Sequence, residues 1–190
     1  MIRRAGIELI ARHGFEAMDL RTLSKAAGLR GGGSLYNYFK SKEGFLFRLM
    51  SEVMEEILAD FATHVAGIED PAAKLVKFVE FHIEWQTTRR EETFVSNMEI
   101  RSLSPKRRKA YIAMRRHYED LVADIISAGC KAGLFKVADV RIAAFSMLGM
   151  LTGVSTWYHA DGRLSKKKLI DIYTRQVVSM LGGSRLANTG

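Results

Sequence analysis

Ser34, Tyr36, Asn37, Tyr38 and Lys42 fall within nine consecutive residues, and Arg21 and Arg30 precede them. These side chains offer hydroxyls, an amide and cations. Tyrosine hydroxyls and lysine ammonium groups suit phosphate oxygens, serine suits several partners, and an asparagine amide matches the edge of an adenine. Nothing near them supplies a nucleophile paired with a base. The glycine run Gly31–Gly33 has no Gly-Lys-Ser/Thr at the offset a P-loop needs. No group of His, Cys, Asp and Glu has metal-ligand spacing. The chemistry is that of binding, and no catalytic or metal residue is expected.

The segments around these residues must hold them outward. Leu35 and Phe39 are four apart, so they share one helix face and can anchor it. Ahead of them, Asp19 is a good N-cap for a short helix that buries Leu20, Leu23 and Ala27. A first helix over residues 2–13, with Ile2, Ala5, Leu9 and Ile10 inward, stops at Gly14. Phe15 and Met18 plug the connection. Helix, tight turn, then a polar-faced helix is the layout of a helix-turn-helix that reads DNA with its second helix. Lys42 and the amides of the helix that Ser41 caps could reach phosphate.

Composition sets the bounds. The 190 residues carry a net charge of +8. Residues 1–44 hold eight Lys/Arg against four acids, which is half the excess in under a quarter of the chain. A basic surface suits nucleic acid, phosphate or anionic lipid, and it equally suits a merely soluble basic protein. Cys130 is the lone cysteine, so no disulfide forms within the chain, which fits a reducing cytoplasmic interior. No apolar run reaches the roughly 18 residues that span a bilayer, and the charged start does not read as a signal peptide.

Helical period continues to the end, with no strand signal. The expected helices are 42–65, 71–89, 92–101, 105–132, 138–160 and 165–181. Asp70–Pro71 and Ser104–Pro105 each pair a cap with a proline at the first helical position. The expectation is an all-α protein with a three-helix head, residues 1–44, and a larger helical body, residues 45–190.

The run GFEAMDLRTLSKAAGL…GSLYNYFKSKE resembles the N-terminal domain of TetR-family repressors. The resemblance covers residues 5–47. It implies an all-helical homodimer whose heads bind an operator and whose bodies bind a small effector. By motif position it assigns Ser34, Tyr36, Asn37, Tyr38 and Lys42 to DNA contact. One departure stands out: four residues, Arg30–Gly33, separate Leu29 from Ser34 where the family has three. That displaces Arg30 and loosens the turn, because glycine weakens a helix by roughly 1 kcal/mol per position.

Two features of the body bear on its use. Gly149 and Gly153 lie one turn apart, flanked by Phe145 and Trp157, and with Ile172 and Tyr173 of the last helix they could form a dimer interface. Packing within one subunit is the alternative. The middle helices carry Phe78, Phe81, His82, Trp85, Phe94, Met98, Arg115 and Tyr118, with Phe145 and Met150 facing them. Met and aromatic residues line adaptable apolar pockets, and they also make ordinary cores. The stretch MEIRSLSPKRRKAYIAMRRHYEDLV, with AGLF and WYHADGRLS, is similar to the TetR-family branch that represses fatty-acid and steroid breakdown, many members of which respond to acyl-CoA thioesters. For such an effector Lys106, Arg107, Arg108, Arg115, Arg116 and His117, with Arg89–Arg90, could form a cationic mouth; a solvated basic face is the alternative. Expected partners are therefore double-stranded operator DNA, a small effector and a second copy of the chain, with no membrane and no cofactor. Two other functions fit parts of the sequence: a helical enzyme or carrier without specific DNA binding, and a non-specific architectural protein.

Overall fold

The structure is a computed structural model that describes residues 1–29 and 39–183. The chain is all-α; among the described residues there is no strand. In chain order the helices are α1 (Ile2–His13), α2 (Leu20–Ala26), α3 (Lys42–His64), α4 (Pro71–Thr88), α5 (Arg90–Met98), a 3₁₀ turn (Glu99–Ser102), α6 (Pro105–Lys131), α7 (Val140–Thr152), α8 (Val154–Trp157) and α9 (Lys166–Met180). They pack as two compact units. The first takes Met1–Glu56 and Arg89–Arg115; the second takes Ile57–Thr88 and the chain from Arg116. The expected head, residues 1–44, falls wholly inside the first unit.

Local chemistry sets the helix ends. Gly14 leaves α1 at φ 79°, a conformation that costs glycine little. Ser41, Asp70 and Ser165 accept N–H groups of the first turns of α3, α4 and α9. One expectation needs correction. The apolar stretch 138–160 is not one helix: α7 begins at Val140, capped by Asp139, and breaks at Gly153 before α8. Glycine is a poor helix former, and the hydroxyls of Ser155 and Thr156 bond the carbonyls of Thr152 and Gly153, competing with the helical ladder. The stretch 92–101 likewise resolves into α5 and a 3₁₀ turn.

In the first unit Ile7, Ile10, Phe15, Met18, Leu20, Leu23, Phe45, Leu46 and Leu49 form the core. A Cβ on Gly6 would overlap the Phe45 ring, so α1 and α3 cross at glycine distance. The second unit buries Phe61, Leu75, Phe78, Val79, Ile83, Val122, Ile126, Met147, Leu151, Leu169 and Val177. One close approach there is at Gly129 of α6, where a Cβ would overlap the ring of buried Phe135. Gly129→Ala is expected to cost about 1–3 kcal/mol through overpacking, read as a shift in the denaturant midpoint. Among the described residues no helix is long and apolar enough to cross a membrane, and no group of His, Cys, Asp and Glu could hold a metal.

Candidate functional site

The head is built on α2. Asp19 accepts the Thr22 N–H at 2.6 Å. That backbone bond first, and the Thr22 side chain next, hold its carboxyl below the ordinary carboxylate range. Leu20 and Leu23 turn inward, leaving Arg21, Thr22 and Lys25 to solvent. Gly28, at φ 67°, ends the helix; its N–H bonds Lys25 O, and that of Leu29 bonds Ser24 O. This closure satisfies the last carbonyls and turns the chain sharply. Arg30, Ser34, Tyr36, Asn37 and Tyr38 lie outside the described residues, as do Leu35 and the glycine run. Beyond them Phe39 packs edge-on against Phe45 of α3 at 5.0 Å.

Arg21 is exposed in the first turn of α2, free to meet a phosphate backbone. Lys42 is held more closely. Its Nζ donates to the Glu16 carbonyl at 2.8 Å and sits 4.4 Å above the Phe15 ring. It therefore steadies the turn between α1 and α2, with about a quarter of its side chain still exposed.

Sequence reasoning placed Glu43 in the first turn of its helix but missed the distant partners of three carboxylates of the first unit. Glu43 accepts the Ser104 N–H at 2.8 Å and Arg107 Nη1 at 2.7 Å. Its carboxyl is held below its ordinary value, first by the Ser104 N–H, with Arg107 adding to it. Glu56 takes both Arg3 and Arg89. Burial works against its charge, but the bonds from the two arginines outweigh it and the carboxyl stays below its ordinary value. Glu99 is buried and accepts the Phe15 N–H at 3.1 Å and the Ser102 hydroxyl at 2.6 Å. No periodic pattern signals such pairings, whose partners lie far apart in the chain.

The second unit gathers Phe78, Phe81, His82, Trp85 and Tyr118. His82 is buried, with Nδ1 2.9 Å from Tyr118 Oη, Nε2 3.1 Å from Thr152 Oγ1, and Gln86 Nε2 at 3.2 Å. Burial drives the imidazole pKa down to about 3 and lifts the Tyr118 phenol well above its usual value. His82 is thus a neutral ring, one nitrogen donating and one accepting. Phe78 and Tyr118 pack against its ring, and among the described residues the buried Gln86 Oε1 has no hydrogen-bond partner.

Other candidates stand elsewhere. Phe94 and Met98 are 46% and 49% exposed on α5 of the first unit, so they do not line the aromatic cluster. Arg115 also belongs to the first unit and donates to Asn97 Oδ1 at 2.8 Å. Phe145 is 48% exposed beneath the Arg141 guanidinium rather than turned toward His82, and Met150 is half-buried. Their helix positions share an apolar run, but α7 presents Phe145 outward. Of the proposed cationic mouth, Arg107 is committed to Glu43, while Lys106, Arg108, Arg116 and His117 are exposed. On α7, Ile142, Phe145 and Gly149 form an exposed stripe, and nothing lies within 4 Å of a Cβ placed on Gly149. Gly153 sits at the break, Trp157 is 48% exposed, and Ile172 and Tyr173 are half-buried on α9.

Known proteins are similar to this chain in fold and, at about a quarter identity, in sequence. Residues 2–49 match the family described as bacterial regulatory proteins, tetR family, and residues 69–181 match the tetracyclin repressor-like C-terminal domain. The fatty acid metabolism regulator protein of Bacillus subtilis (strain 168) is 25% identical over 159 residues, 83% of this chain and 81% of that protein. The crystal structure of a tetR-family regulatory protein from Rhodococcus RHA1 superposes with a TM-score of 0.89 at 26% identity, covering 96% of each chain. AibR, solved in complex with isovaleryl coenzyme A and operator DNA, gives a TM-score of 0.83 at 25% identity over 95% of each chain. The chain belongs to the TetR family of bacterial regulatory proteins, with an N-terminal helix-turn-helix head and a helical C-terminal body.

Proposed function

We propose that the protein is a ligand-responsive transcriptional repressor: a homodimer that binds a palindromic operator and is released by a small apolar or acyl-CoA-type effector. The observation that carries this reading is the capped, core-anchored α2, with Arg21 outward and a Schellman-type exit into the polar segment 30–42, inside the match over residues 2–49. In it Arg21, Arg30, Ser34, Tyr36, Asn37, Tyr38 and Lys42 contact DNA. The exposed stripe of α7, with Trp157, Ile172 and Tyr173, pairs the two subunits, and a twofold dimer presents two heads to two half-sites. The work divides at residue 44, reading before it and sensing after it.

The effector side rests on the cluster around His82. A buried aromatic cluster with one neutral imidazole and an amide oxygen unbonded among the described residues favours a mostly apolar ligand bearing a single hydrogen-bonding group. The complex of AibR with isovaleryl coenzyme A supports an acyl thioester as the class. The ligand must prefer the state that does not bind DNA, and α3, one unbroken helix from Lys42 to His64, is the route by which that preference reaches the head.

The test is selection of duplexes from a random pool by the purified protein. The expected result is an enriched palindrome, released on titration with acyl-CoA thioesters of graded length. Uniform, steeply salt-dependent binding with no enriched sequence would instead mark a non-specific architectural protein.

A further inference from the structure

Helix α5 grips the head at two places. Near its start, Glu92 meets Arg3 in the first turn of α1 at 3.5 Å, and Arg3 shares Glu56 with Arg89 at the junction before α5. Just past its end, Glu99 takes the N–H of Phe15, the residue after the Gly14 stop of α1. The contacts run in the same order along both helices, so α5 lies alongside α1 and is fastened at either end. The two fastenings differ. Arg3, Glu56, Arg89 and Glu92 keep between 22% and 36% of their side chains exposed, where water and salt weaken ion pairs. Glu99 is 7% exposed and holds its two donors with two separate oxygens. The N–H it holds belongs to a turn and has no helical acceptor. That turn leads within four residues to Asp19, the cap of α2.

We propose that Glu99 is a positioning residue for operator binding: its carboxylate sets the attitude of the head by fixing the α1–α2 turn to the end of α5. The assignment rests on the two-headed repressor proposed above. Two heads on one duplex gain from simultaneous engagement, and the gain vanishes when their geometry no longer fits. Glu99 should therefore matter to a full operator and hardly at all to an isolated half-site. A residue that merely keeps the head folded would affect both alike.

The experiment compares Glu99→Ala, Glu99→Gln and the unchanged protein on two duplexes, the selected palindrome and the same duplex with one half scrambled. Binding is followed by fluorescence anisotropy, and amide hydrogen exchange is read across residues 15–19. Glu99→Ala is expected to lose about thirtyfold on the palindrome and to stay within about twofold on the half-site, with faster exchange in the turn. Glu99→Gln, whose carbonyl still accepts from Phe15 and whose amide can donate to Ser102, should return to within about threefold. Should the alanine variant fail to fold, Glu99→Asp, one methylene too short to reach both donors, takes its place with the same expected split. Equal losses on the two duplexes, or none on either, overturn the assignment. An unchanged protein that binds the half-site as tightly as the palindrome removes the two-headed reading itself, and the role of Glu99 goes with it.

Discussion

Alanine at both Tyr36 and Lys42 is expected to abolish retardation of the selected operator while leaving helicity and dimerisation intact. In the proposed dimer each substitution occurs twice, so four proposed contacts go at once. At about 1 kcal/mol apiece, the low end for such contacts, the loss is roughly 4 kcal/mol, or about a thousandfold in affinity. The two positions are separable. Lys42 has a second task inside the protein, since its Nζ holds the Glu16 carbonyl and covers the Phe15 ring. Lys42→Ala therefore combines the loss of the proposed phosphate contact with a loosened turn, whereas Tyr36→Phe removes a single hydroxyl. As a proposed phosphate contact, Lys42 predicts that Lys42→Ala also lowers the slope of log affinity against log salt by about two per dimer. Undiminished retardation by the double variant would take the DNA contacts away from this segment.

Acidification is expected to weaken the fold through His82. Its folded pKa is about 3, pushed down by burial, against about 6.5 for an exposed imidazole. Between those values the unfolded chain holds a proton that the folded protein refuses. Stability from this residue is therefore complete above pH 6.5 and declines as pH falls toward 3. At pH 5, a unit and a half below the unfolded value, the decline is about 2 kcal/mol. Carboxylates elsewhere also titrate, so the measurement is a difference. Denaturation of the unchanged protein and of His82→Leu at pH 7.5 and pH 5 should show the unchanged protein losing about 2 kcal/mol more. Equal losses would mean that His82 accepts its proton while folded. The leucine variant starts from lower stability, because Tyr118 and Thr152 each lose their imidazole partner.

What could be read from the sequence follows from the range of the interaction. Caps are local: Asp19, Ser41, Asp70 and Ser165 each bond an N–H three residues on, and each was legible. So were the buried faces Leu20–Leu23 and Phe78–His82, because helical period writes them into the chain. Exposure was harder. Phe94, Met98 and Phe145 look like pocket residues by type, yet all three face outward, and composition cannot say which stripe of an apolar helix is covered. The break at Gly153 depends on hydroxyls that compete for backbone carbonyls, a choice that the apolar pattern of the segment conceals. Least legible were Glu43, Glu56 and Glu99. Their distant partners are 33 to 84 residues away, and from spacing alone an acid among apolar neighbours reads as a solvated one.

The first unit is assembled from two stretches of chain, Met1–Glu56 and Arg89–Arg115, and this bears on how it comes into being. As the polypeptide leaves the ribosome, residues 1–56 emerge before the stretch that clasps them. Arg3 waits for Glu92, the Phe15 amide for Glu99, and Glu43 for Arg107. At about 5–20 residues per second, the stretch from Glu56 to Arg115 takes roughly 3–12 seconds to appear. Through that interval the basic head is out in the open without its clasp. A fragment ending after α3 would lack that clasp permanently, so the shortest piece of chain holding the whole first unit should run to Arg115 in α6.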